Sequence, residues 1–202
     1  MIERVSDYKY DVFISYSRHG SAPKWLLNHF YPKLEEYLID EVYPSPKIFI
    51  DKGMSRGVAW SPELKSALRY SKIMIAVLSA PYFGSNWCMA EWGSMAAREK
   101  MLGLASDDRP QGLIYPVRYS DSVHFENEGR LRSWWDFKGL DGADRAFHGS
   151  KDWHAFQLKV RDCARDLAEL LRQVPPWQPD WPIIKEPNPV LVPPPPMPRF
   201  DP

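Results

Sequence analysis

The sequence predicts an α/β fold in which a parallel sheet lies between two layers of helix. Short apolar runs rich in β-branched and aromatic residues alternate with segments of helical period, an order that favours parallel strands joined by right-handed crossovers. One of those runs, KIMIAVLS at 72–79, is apolar almost throughout, as expected of a central strand covered on both faces. At 202 residues the chain is long enough for one domain with a real core and short for two.

The elements follow in order. YDVFISYS, beginning at Tyr10, reads as the first strand, and Leu27, Phe30, Leu34 and Leu38 recur at helical spacing after it. Pro32 falls inside that helix, where it should kink or restart the chain. KIFID at 47–51 is the second strand; residues 61–70 open on Ser-Pro-Glu, a cap followed by a first-turn proline. KIMIAVLS is the third strand and GLIYPVRYS at 112–120 the fourth, with a short further strand expected around Trp134 to Phe137. The cleanest helix spans about 151–173, with Trp153, Phe156, Val160, Ala164, Leu167 and Leu171 on one stripe.

Composition changes at Pro175, because 12 of the last 28 residues are proline and no regular helix or sheet continues through that. The expected organisation is a domain over residues 1–174 and a proline-rich tail or linker over 175–202. PPPP at 193–196 favours extended polyproline acting as a spacer. Trp177, Trp181, Ile183 and Ile184 qualify this, since apolar residues are disfavoured in a free linker, and they point to a first half that packs back on the domain.

Lys and Arg total 26 and Asp and Glu total 26, so no global field argues for nucleic acid or an anionic membrane. The charged start MIERVSDYKYD lacks the apolar core of a secretory signal, which leads us to expect a cytoplasmic protein. Cys88 and Cys163 lie far apart in predicted helices and read as buried thiols. The five histidines form no H-x-x-x-H or H-E-x-x-H spacing, and no metal site is expected.

In such a sheet, ligands bind beyond the carboxyl ends of the strands. That rule selects SRHGSAP (17–23), KGMSRGVAWS (52–61), APYFGSNW (80–87) and SDSVHFENEG (120–129). Glu91 follows the third segment at the start of a predicted helix, and Trp87 precedes it by four residues, so the two side chains share a face. A bland account makes Glu91 a helix-start acid favoured by the macrodipole and Trp87 a core residue. Trp92, Met95 and Ala96 are better core candidates. Ser15 and Ser17 flank Tyr16 with no base in sight to activate either, and are read as hydrogen-bond donors. GMSRG is a weak phosphate motif, and neither G-x-G-x-x-G nor G-x-x-x-x-G-K-[ST] is present.

The ordered set YDVFISYSR, IFIDKGMSRGVAW, SKIMIAVLSAPYFGSNWCMAEW and LIYPVRY resembles a Toll/interleukin-1 receptor (TIR) domain, most plainly in S-x-x-Y-x-x-S-x-W-C-x-x-E from Ser79 to Glu91. The resemblance covers residues 8–120 and extends less clearly to about 174. It implies a flavodoxin-like three-layer sandwich with a central parallel sheet of about five strands.

TIR domains divide between adaptors that assemble through like-with-like contacts and enzymes that cleave NAD+ between nicotinamide and ribose. The resemblance to the bacterial NAD-cleaving type implies that Glu91 is catalytic and that Trp87 stacks the pyridinium. It also implies that Tyr16, Ser17, Arg18, Asp51 and Trp60 contact the substrate. Lys52, Gly53, Met54, Ser55, Arg56 and Gly57 fall in the BB loop, the segment implied to move on assembly. NAD+ is then a substrate, no cofactor is needed, and the active form is a homo-oligomer serving antiviral defence or cell death, with a separate sensor as a further partner. The alternatives are an adaptor or host-mimicking module without turnover, and an unrelated doubly wound nucleotide-binding protein.

Overall fold

A computed structural model describes residues 8–51, 62–121 and 132–184. The chain runs β1 (Tyr10–Tyr16), α1 (Ala22–Trp25), a π-helical turn (Leu26–Phe30), α2 (Tyr31–Glu41), β2 (Ile48–Ile50) and α3 (Pro62–Arg69). It continues with β3 (Ser71–Leu78), α4 (Ala80–Phe83), α5 (Asn86–Leu102), β4 (Ile114–Arg118), β5 (Trp135–Asp136), a 3-10 turn (Arg145–Gly149) and α6 (Asp152–Gln173). The five strands form one parallel sheet in the order β2-β1-β3-β4-β5, the flavodoxin-like arrangement expected.

Strand periodicity separates two cores. Val12 and Ile14 of β1, with Ile73, Ile75 and Val77 of β3, pack against α1, α2 and α6, where Trp25, Leu34, Leu38, Phe156 and Val160 are fully buried. The alternate residues Phe13, Met74, Ala76 and Leu78 face α3, α4 and α5, meeting Leu68, Tyr82, Trp92 and Met95. Because β3 feeds both cores, its run shows no polar alternation.

The first helical pattern needs one correction. Trp25 and Leu26 are fully buried while Leu27 is only half-buried. Pro32 has no N–H for the helix ladder, and the turn just before it is wound as π helix, which re-aims the side chains by about one position. The chain restarts as α2 with Pro32 in its first turn, as expected of a proline there.

Residues 175–184 lie against the second core. Trp177 stacks on Tyr70 at 5.2 Å and its Nε1 donates to the Arg69 carbonyl at 3.3 Å. Trp181 is 1 % exposed, beneath the guanidinium of Arg98 at 4.8 Å. The Ile184 N–H donates to Ser94 Oγ of α5 at 2.9 Å.

Candidate active site

In a sheet of this order the strand connections diverge between β1 and β3, and a crevice opens at their carboxyl ends. β1 ends at Tyr16, so Ser17 and Arg18 lie on its exit loop; β2 ends at Ile50, which puts Asp51 beside them. β3 leads through Ser79 into α4 and then α5. Ser85 caps α5, accepting from the Cys88 N–H at 3.4 Å, and Gly103 ends it in the left-handed region at φ 62°.

That cap starts the helix five residues before Glu91, so Glu91 belongs to the second turn rather than the start. The helix-dipole account therefore loses its footing, since the effect fades beyond the first turn. Burial and a hydrogen bond hold the side chain instead. Glu91 is 6 % exposed, and Ser15 Oγ donates to its Oε2 at 2.5 Å. Among the described residues Oε1 has no hydrogen-bond partner. Ser15 Oγ also lies 2.9 Å from the hydroxyl of Tyr82, itself fully buried on α4.

Ser15, read from the sequence only as a hydrogen-bond donor, has Glu91 as its acceptor, a partner that sequence reasoning did not supply. The signal was available in β1, whose alternation places Ser15 on the face of Phe13, toward α5, and Tyr16 on the opposite face. Tyr16 packs at the edge of the first core and its hydroxyl donates to the Asp51 carbonyl at 2.5 Å. Arg18 forms an ion pair with the Asp51 carboxylate. Ser17 is buried and accepts from the His19 N–H at 3.3 Å. Trp87 is half-buried against the second core, one turn before Glu91. Trp60 and residues 52–57 lie outside the described residues.

The electrostatics follow from this packing. Burial raises the Glu91 carboxyl from the ordinary 4.5 to about 7; the Ser15 hydrogen bond opposes that rise, Asp51 adds to it, and Arg18 opposes it. Glu91 is thus poised near neutrality, a condition associated with functional carboxyls. Burial and then Glu91 push the Cys88 thiol up. Among the described residues no group of three or more His, Cys, Asp or Glu is placed to hold a metal ion.

A groove of about 1210 Å³ lies elsewhere, along β4, β5 and α6, and contains none of these residues. Of the carboxylates lining it, Asp107, Asp162 and Asp166, the last is committed to the Tyr115 hydroxyl at 2.8 Å and Trp135 Nε1 at 3.2 Å. The chemistry points to the β1–β3 crevice.

Residues 9–105 match the family "TIR domain". Over 98 residues, 48% of this chain and 8% of the relative, the sequence is 34% identical to "Probable disease resistance protein RPP1" of Arabidopsis thaliana. Over 181 residues, 84% of this chain and 17% of the relative, it is 25% identical to Disease resistance protein RML1B of the same plant. The chain therefore spans less than a fifth of these relatives. Among solved structures, the TIR domain of the Toll-related receptor TRR-2 from Hydra magnipapillata aligns with TM-score 0.42 and 21% identity, covering 76% of this chain and 99% of that one.

Proposed function

Residues 9–105 of this chain are a TIR domain, and from that premise we propose that the protein cleaves NAD+ at the bond between nicotinamide and ribose, with Glu91 at the reaction centre. The observation that carries this reading is the Glu91 carboxylate itself: buried, fixed through one oxygen by Ser15, and beside the loops at the strand ends.

A single carboxylate suffices for this chemistry. Most glycosidases use a second one to protonate a poor leaving group. Nicotinamide takes the electron pair of the breaking bond and departs neutral from a cationic pyridinium. Positive charge then develops on the ribose, and an ionised Glu91 stabilises it in a site largely removed from water. Water attacking that carbon yields ADP-ribose; a nucleophile within the substrate yields a cyclic product.

Trp87 offers a ring face to the pyridinium, a contact worth about 0.5 to 2 kcal/mol that orients more than it binds. Arg18 and Ser17 supply donors for phosphate and ribose, Asp51 holds Arg18 in place, and Tyr16 anchors the Asp51 backbone. By the resemblance to TIR enzymes, Trp60 is a further substrate contact and the BB loop, Lys52 to Gly57, is the segment that responds to self-association. The protein acts in cellular defence, in keeping with the names of its plant relatives.

The experiment is nicotinamide release from NAD+ by the purified protein and by Glu91→Gln. The wild type should release it and the variant should lose at least a hundredfold, a loss in the range seen when one transition-state electrostatic contact is removed. Equal rates would remove Glu91 from the mechanism. A second reading rests on the same network: Glu91, Ser15 and Tyr82 form a buried polar tie between β1 and the α4–α5 corner of a non-catalytic interaction module. On that reading neither protein turns over NAD+, and Glu91→Gln changes stability alone.

A further inference from the structure

We infer that Ser15 is a positioning residue for Glu91, the middle of a directed chain in which Tyr82 donates to Ser15 and Ser15 donates to one carboxylate oxygen. The inference deepens the catalytic reading and rests on it for its consequence, though the chain of hydrogen bonds is testable without any substrate.

The direction follows from counting protons. A serine hydroxyl has one hydrogen and two acceptor positions. The 2.5 Å bond to Glu91 Oε2, at the short end for O–H···O⁻ pairs, takes that hydrogen. The 2.9 Å contact with Tyr82 must then run from the phenol to Ser15 Oγ. Tyr82 is 0 % exposed and Ser15 1 %, so water does not compete for either bond.

Two consequences follow for the site. Oε2 is tied back toward β1, which fixes the carboxylate plane and leaves Oε1 as the oxygen available to a ligand. The ionised form of Glu91 is also favoured over the protonated form, against the burial that raises its pKa. The other groups acting on this carboxyl are Asp51 beyond β2, which opposes ionisation, and Arg18 beyond β1, which favours it. Cys88 of α5 and Tyr82 of α4 face it as neutral groups, their own ionisation suppressed by burial.

Ser15→Ala removes the donor. A hydrogen bond to a charged group is worth enough to move a carboxyl by roughly one pH unit. The Glu91 titration, followed by carbon-13 NMR of its carboxyl and assigned by its absence in Glu91→Gln, should therefore move up by about one unit. The acid limb of nicotinamide release should move with it, giving roughly tenfold less activity below the limb. Ser15→Thr keeps the hydroxyl on a residue that suits a strand, and should restore the wild-type titration. Tyr82→Phe should shift the titration in the same direction by less, and it serves if Ser15→Ala does not fold.

An unchanged Glu91 titration in Ser15→Ala, or a loss of activity equal at every pH, overturns the proposal. If the titration shifts as expected but no protein releases nicotinamide at any pH, Ser15 keeps its place and the NAD-cleaving reading is what fails.

Discussion

On the proposed reading, Glu91 carries opposite demands of stability and function. Its folded-state pKa lies above the ordinary value, so between 4.5 and about 7 the folded protein holds more protons than the unfolded chain. Stability then falls as pH rises through that window, and the cost is complete above pH 7. At about 1.4 kcal/mol per pH unit the cost approaches, at most, about 3 kcal/mol. Urea denaturation should show Glu91→Gln gaining on the wild type as pH is raised from 4.5 to 8, with little difference at the acid end. A difference that stayed flat across this range would mean that Glu91 titrates normally. Catalysis by the ionised form carries the opposite sign, since nicotinamide release should rise with pH toward a plateau above 7. A carboxylate whose ionisation weakens the fold is in keeping with the proposed role at a reaction centre.

At the scale of elements, the segment after α6 and the helix α5 depend on each other. Arg98 on α5 is fully buried, donating to the carbonyls of Ser71 at 2.8 Å and Leu68 at 3.1 Å, and so satisfies backbone acceptors at the start of β3 and the end of α3. Burial lowers its pKa to about 10, which leaves it charged at neutral pH. Trp181 covers the guanidinium, and Ile184 reaches Ser94, three residues beyond Glu91 on the same helix. Trp181→Ala should destabilise the protein by about 3 to 5 kcal/mol, as for other fully buried aromatics. A loss under 1 kcal/mol in a chemical denaturation curve would show that residues 175–184 do not dock in solution. The composition break at Pro175 marks where helix ends, and the tryptophans beyond it mark a segment that is not a free linker. Neither shows that the partner is a buried arginine 83 residues earlier in the chain.

For the whole molecule, the proposed activity is expected to depend on self-association, as the resemblance to TIR enzymes implies. Specific activity should rise with protein concentration and under crowding, whereas a monomeric enzyme with a complete site would hold it constant. Sedimentation at the same concentrations would tie any rise to assembly.

The alternation of strand and helix, and the two-sided burial of β3, follow from local periodicity, so the α/β class and the parallel sheet were legible in the sequence alone. The position of Glu91 near the carboxyl edge of the sheet was legible too, through the strand-end rule and the motif from Ser79. Tertiary structure decided the rest, because it depends on contacts between distant segments. The Ser15 bond joins residues 76 positions apart. The burial that raises the Glu91 pKa needs β1, α4 and α5 together. The π turn before Pro32 sets which of Leu26 and Leu27 enters the core, a one-residue shift that a fixed 3.6-residue period does not register. Periodicity selects faces; only packing selects the partner each face meets and the charge state it imposes.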